Sequence, residues 1–365
     1  MAMTLKALVL TKGRPNPPQM SVAVSLVQVG YDTLFVASQA SEATRRYLEG
    51  RGVKMFELQP NAAAPRHLLT KAAYWWEFRR KAWHMLEQQG RVDLLWIGSA
   101  DTALALGRRL LQRAYIFQIH ELYDSLPFYR RHLRDYARAA KVVVVPEANR
   151  AAIFRSWYGL RRTPYVLPNK PLEHPRQRGL PITNEEARAA LATVPADTRL
   201  VLYQGIIHPE RDIRPVGQAV AELGPGWKFV VAGDDQGFLG AIRAACPEML
   251  YVPYVPPPQH LEVTSRATIG VLAYCFDNLN NVFCAPNKVW EYAGFGLPML
   301  GNDVPGLRLI EEHQAGLCAD FHQPAAVKRA LVELVRNQQR YSQAARLLYD
   351  RFEVGELVQE IAAAA

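Results

Sequence analysis

Apolar runs of strand length recur along the first 170 residues, at Lys6–Thr11, Asp32–Ala37, Val53–Leu58, Val92–Gly98, Tyr115–His120 and Val142–Pro146. The stretches between them predict helices over Ser21–Val29, Glu42–Arg51, Arg66–Gln89, Thr102–Arg113 and Pro127–Ala140. Tyr165–Asn169 reads as one more short strand, and the proline-rich segment after it, with Pro171, Pro175 and Pro181, reads as a linker. A second alternating series follows. Its predicted strands are Leu200–Gln204, Lys228–Ala232, Met249–Val252, Ile269–Tyr274, Pro298–Gly301 and Gly316–Ala319. Its predicted helices are Asn184–Ala192 (with Thr183 as N-cap), Pro215–Leu223, Phe238–Ala245, Pro258–Ser265, Asn287–Ala293, Gly306–His313 and Pro324–Arg336. Strands alternating with helices imply βαβ units and parallel sheets. The expectation is an α/β chain with two doubly wound domains, residues 1–170 and 171–345, facing a cleft at the carboxyl ends of their strands. A helical tail over 346–365 is expected to cross back to the first domain.

Charge separates the two halves. Residues 1–170 carry 26 Lys/Arg against 12 Asp/Glu, a balance of +14, and the remaining 17 against 22 give −5, for the net +9. A basic half implies an anionic surface or substrate, such as lipid phosphates. No apolar run reaches the roughly 18 residues of a membrane span, and Leu5–Leu10 is too short for a signal peptide. The four cysteines, Cys246, Cys275, Cys284 and Cys318, show no Cys-x-x-Cys spacing and read as free thiols of a cytoplasmic protein.

The densest candidate chemistry lies in Ala285–Gly301, where Pro286 and Asn287 start a helix and Gly296-Leu-Pro298 stops it. Lys288 then falls in the first turn, with Glu291 one turn later on nearly the same face. A helix start after a strand favours a phosphate, to which Lys288 adds a full charge, and Glu291 can accept from a vicinal diol. An ordinary strand–loop–helix with a surface Lys and Glu is the alternative. Gly205, at the end of a strand, lets backbone approach a ligand, and Arg211 beyond it can fork onto a diphosphate. Gly233 allows a tight turn after Lys228–Ala232, and no Gly-x-Gly-x-x-Gly fingerprint is present.

Pro286-Asn-Lys-Val-Trp-Glu-Tyr292, closed by Gly296-Leu-Pro298, resembles the donor-sugar signature of the group 1, family 4-like glycosyltransferases of GT-B fold. That resemblance implies two Rossmann-like domains, the first for the acceptor and the second for a nucleotide-diphosphate sugar, UDP- or GDP-linked. It further implies that Glu291 holds the ribose hydroxyls and that Arg211 and Lys288 stabilise the leaving diphosphate. His120 would contact the donor, Gly13 would let backbone approach the diphosphate, and Tyr254 and Val255 would hold the base through backbone groups. The family's first acid falls at Phe283, so Asn280 and Asn281 are candidate replacements, and Ile206 stands where a basic residue is usual. Glu121 and Asp124 are carboxylates available to an inverting mechanism, whereas the resemblance favours retention.

The segment Arg66–Gln89 interleaves Arg66, Lys71, Arg79, Arg80 and Lys81 with Tyr74, Trp75, Trp76, Phe78 and Trp83. Such a helix suits an anionic membrane face, or packs its aromatics on a sheet. Arg130, Arg131, Arg134 and Arg138 add a second basic face. No metal, other cofactor or nucleic-acid partner is expected. The reading is a metal-independent glycosyltransferase acting on a lipid-linked or polysaccharide acceptor at the inner membrane face. A nucleotide-sugar epimerase and a non-catalytic partner of a glycan synthesis complex are the rivals.

Overall fold

The computed structural model describes residues 5–59 and 67–365, and the predicted helix residue Arg66 lies outside them. The chain divides into two compact units, one of residues 1–172 with 353–365 and one of residues 173–352.

The strands of unit 1 are β1 (Lys6–Thr11), β2 (Asp32–Ala37), β3 (Lys54–Glu57), β4 (Leu94–Ile97), β5 (Ile116–Gln118), β6 (Val142–Val145) and β7 (Tyr165–Val166). They form one sheet in the order β3-β2-β1-β4-β5-β6-β7, every pair parallel. Near-continuous apolar runs such as Val142–Val145 are what a parallel sheet covered on both faces requires. The core joins Val9, Phe35, Trp96 and Val144 to helix Pro17–Gln28 and to Val354, Val358 and Ile361 of helix Val354–Ala363.

Unit 2 holds β8 (Arg199–Gln204), β9 (Trp227–Ala232), β10 (Leu250–Val252), β11 (Ile269–Leu272), β12 (Met299–Asn302) and β13 (Gly316–Ala319). Its sheet order is β10-β9-β8-β11-β12-β13, again all parallel. In each unit the strand order reverses at one place, between β1 and β4 and between β8 and β11. Ligands of open α/β sheets bind outside the carboxyl ends of such a pair.

Several local expectations are corrected. Asn184, rather than Thr183, caps helix Glu185–Leu191 by accepting from the Ala187 amide, while Thr183 donates to Glu262. Helix Ala148–Tyr158, absent from the sequence reading, follows β6 with Glu147 as its N-cap. The expected helical tail breaks at Phe352: Ala345, Leu348 and Tyr349 of Gln338–Arg351 are buried in unit 2, and only the last helix returns to unit 1.

Candidate active site

At the carboxyl end of β8, Gln204 and Gly205 open a polar cluster in unit 2. Helix Asn287–Phe295 begins after Pro286, so the first-turn Lys288 and the buried Glu291 lie one turn apart. The Lys288 ammonium sits 3.2 Å from Glu291 Oε2. Gln204 Nε2 donates to the same oxygen at 3.2 Å, and His260 Nε2 lies 3.3 Å from it. Burial alone would raise the Glu291 pKa, but Lys288 and the His260 hydrogen bond bring it down to about 2. The group is therefore a buried carboxylate held ionised at neutral pH.

Arg211 ends a 3-10 turn, Pro209–Arg211, after β8. Its guanidinium lies 3.7 Å from the centroid of the Tyr274 ring and donates to the Ala273 carbonyl at 3.4 Å, which places it beyond the end of β11. Asn302, at the end of β12, pins Tyr274 by accepting from its amide at 2.8 Å and donating to its carbonyl. Gly205 and Gly233 both have positive φ, +156° and +147°. Their backbones touch where β8 and β9 end. Asp235 accepts from the amides of Gly237, Phe238 and Leu239, so it serves as a turn and helix-start acceptor. Val255 is buried beside the exposed Tyr254. Asn287 is the first residue of its helix, and Asn281 uses its amide on Cys275 Sγ and Asp277. Ile206 is exposed, and its carbonyl accepts from the Tyr203 hydroxyl at 2.7 Å.

The remaining predicted residues belong to unit 1. Burial pushes the His120 imidazole down to about 4, so the ring is neutral near pH 7. Buried Arg150 donates to the His120 carbonyl and lies 3.6 Å from Glu121. The Gly13 amide donates to Ser38 Oγ at 3.2 Å. Lys12, beside it at the β1–β4 reversal, sits over the Trp75 ring at 4.2 Å and 3.8 Å from Asp101, with its pKa lowered by burial. His260, Gln204, Asn302, Arg150 and Lys12 escaped the sequence reading. Gln204, Asn302 and Lys12 are marked only by a place at a strand end, and Arg150 and His260 stand on helices with no local mark, since the partners of all five stand on other elements.

The Trp-rich helix resolves into two roles. Phe78 and Trp83 are buried, whereas Trp76 is 64% exposed. Arg79 donates to the Ala105 carbonyl and Lys81 to the Leu58 carbonyl, so both are packing residues as well as charges. Trp76, Arg79, Arg80, Trp83, Arg108 and Arg109 line a groove of about 490 Å³. Among the described residues no helix is long and apolar enough to cross a membrane, and no cluster of three His, Cys, Asp or Glu side chains could hold a metal ion.

The chain is similar in structure to HepE of Anabaena, solved in complex with UDP and glucose. The TM-score is 0.72 at 14% identity, covering 98% of each chain. The fold is GT-B. Sucrose-phosphate synthase of Thermosynechococcus elongatus matches this GT-B chain with a TM-score of 0.67 at 15% identity, over 98% of this chain and 96% of the other. A candidate UDP-N-acetylglucosamine 2-epimerase of Listeria monocytogenes matches with 0.61 at 11% identity, over 98% and 95%. No protein-family model matches the chain, and no curated protein matches it in sequence.

Proposed function

We propose that this GT-B chain is a glycosyltransferase that moves a sugar from a nucleotide-diphosphate sugar, UDP- or GDP-linked, to a lipid-linked or polysaccharide acceptor. One observation carries the reading. A buried, ionised Glu291 stands one turn beyond Lys288 at the β8–β11 strand ends, the place where such sheets take ligands. The binding of UDP by HepE, a chain of the same fold, supports the choice of donor.

In this reading Glu291 accepts from the ribose diol, and the amides around Tyr254 and Val255 meet the base. Breaking the bond from the anomeric carbon to the phosphate oxygen leaves the electron pair on the diphosphate. Arg211, Lys288 and the free amides at the start of helix Asn287–Phe295 stabilise that charge, a role that otherwise falls to a metal ion. Gly205 and Gly233 keep the floor of the site bare of side chains. His120 offers the sugar a neutral imidazole, and retention of anomeric configuration is expected. Unit 1 takes the acceptor, with Trp76, Arg80 and Arg108 facing anionic lipid.

Calorimetric titration with UDP and GDP, followed by nucleotide-release assays over a panel of nucleotide-sugars and acceptors, tests the proposal. Failure of both nucleotides to bind overturns it. The Listeria neighbour favours a second reading, a nucleotide-sugar epimerase. That activity, with water cleaving the glycosyl–phosphate bond, produces a changed sugar and free nucleotide without any acceptor, whereas the transferase needs one.

A further inference from the structure

We infer that His260 is a positioning residue that orients Glu291 so that carboxylate oxygen Oε1 is the one presented to the ribose diol. The inference rests on the nucleotide-sugar reading and adds a determinant of selectivity to it.

The two oxygens of Glu291 are unequally used. Oε2 receives Gln204 Nε2 at 3.2 Å, has His260 Nε2 at 3.3 Å and has the Lys288 ammonium at 3.2 Å. Oε1 receives Lys288 alone, at 3.3 Å. A carboxylate offers about four lone-pair positions over its two oxygens, so Oε2 is saturated and Oε1 keeps acceptor capacity. His260 is a reason for that asymmetry. Donation from Nε2 leaves Nδ1 as a bare acceptor, and Nδ1 is buried without a hydrogen-bond partner. A buried imidazole with one edge unpaired is retained at a cost, which the bond to Glu291 offsets.

The short helix His260–Thr264 braces the carboxylate from both ends. Thr264 Oγ1 lies 2.6 Å from Gln204 Oε1, which fixes the amide so that Nε2 is the edge facing Glu291. His260 and Thr264 therefore act on the same oxygen, one directly and one through Gln204. His174 holds the Glu291 backbone at the same time, with its ring nitrogen 3.1 Å from the carbonyl. Side chain and main chain of Glu291 are both located before any ligand arrives, the preorganisation that diol recognition needs.

The test compares UDP with 2′,3′-dideoxy-UDP, and GDP with its dideoxy analogue, by calorimetry on the full chain. Variants are H260Q, which keeps a donor near the Nε2 position, H260N, which does not, and H260A. The wild type should prefer the diol-bearing nucleotide by roughly tenfold or more, the scale of a hydrogen bond to a charged group. H260N and H260A should lose most of that preference while binding the dideoxy analogue as the wild type does, and H260Q should keep it. A general structural role would weaken both nucleotides alike, and that result overturns the inference, as does an unchanged preference in H260N. If neither UDP nor GDP binds the wild type, the functional reading falls and takes this inference with it. If they bind and the preference survives in H260N, the inference alone falls.

Discussion

A methyl group on Gly233 would sit 1.8 Å from the carbonyl oxygen of Gly205. The obstructing atom is backbone, so no side chain can swing away to make room. Gly205, read from the sequence as a ligand-approach point, and Gly233, read as a tight turn, are therefore one steric unit, joining the end of β8 to the end of β9.

Gly233→Ala should accordingly destabilise unit 2 by more than about 3 kcal/mol, from overpacking added to backbone strain. Gly13→Ala is the control: φ is +113° there, but no atom lies within 4 Å of the added carbon. It should cost only the strain, about 1–3 kcal/mol. Denaturant unfolding of both variants checks the difference, and an equal loss would refute the backbone contact as the cause.

Lys288→Ala and Glu291→Ala should each cut turnover roughly ten- to hundredfold, the worth of a charge-assisted contact of about 1.5–3 kcal/mol. The two differ in stability. Removing Glu291 leaves Lys288, Gln204 and His260 without their shared acceptor, so it should lower the melting temperature more than removing Lys288 does. Donor kinetics within about twofold of wild type for both variants would sink the assignment.

Two groups lower stability in acid, each over its own pH window. The Glu291 pKa in the fold, about 2, lies below its ordinary 4.5, so its contribution is full above the ordinary value and is lost as pH falls toward 2. His120, at about 4 against 6.5, stays neutral in the fold while the unfolded chain takes up a proton, so stability falls as pH drops from 6.5 to 4. His174 is also lowered to about 4 and adds to the same window. The unfolding free energy of Glu291→Gln should converge on that of wild type as pH falls from 4.5 to about 2, and the pH dependence of His120→Gln should be flatter than wild type between 6.5 and 4. Ring titration by NMR, with His120 protonating near pH 6.5, would contradict the second expectation.

Membrane contact is tested best by Trp76, Arg80 and Arg108 together, because Arg79 and Lys81 also hold neighbouring carbonyls. The triple replacement should reduce co-sedimentation with anionic vesicles and leave UDP affinity unchanged. Wild-type binding should weaken with salt, since screening acts over about 10 Å at roughly 0.1 M. Binding indifferent to lipid charge and salt would count against a basic docking face.

The alternation of strands and helices was legible because parallel strands buried on both faces are nearly pure apolar runs. β1, β2 and β13 fall on their predicted bounds. Helix Ala148–Tyr158 was not legible, since buried Arg150 interrupts the apolar stripe of Ala151, Phe154 and Tyr158. The same logic divides the site. Lys288 and Glu291 were visible because helical spacing alone brings them together. His260 was invisible because its partner stands on another helix, and no local pattern in Pro258–Ser265 marks it. Asn302 was invisible for the same reason, since its amide clasps Tyr274 from a neighbouring strand.

Helix Val354–Ala363 supplies Val354, Val358 and Ile361 to the core of unit 1, with the whole of unit 2 lying between it and β7 along the chain. During synthesis, then, the unit that leaves the ribosome first is the one that cannot seal its own interior. Unit 2 is complete once Phe352 has emerged, while unit 1 waits with an apolar face bare against helix Pro17–Gln28 until the last helix arrives. A nascent or truncated chain ending near Arg351 would carry that uncovered face into solution, a surface for chaperones or for aggregation.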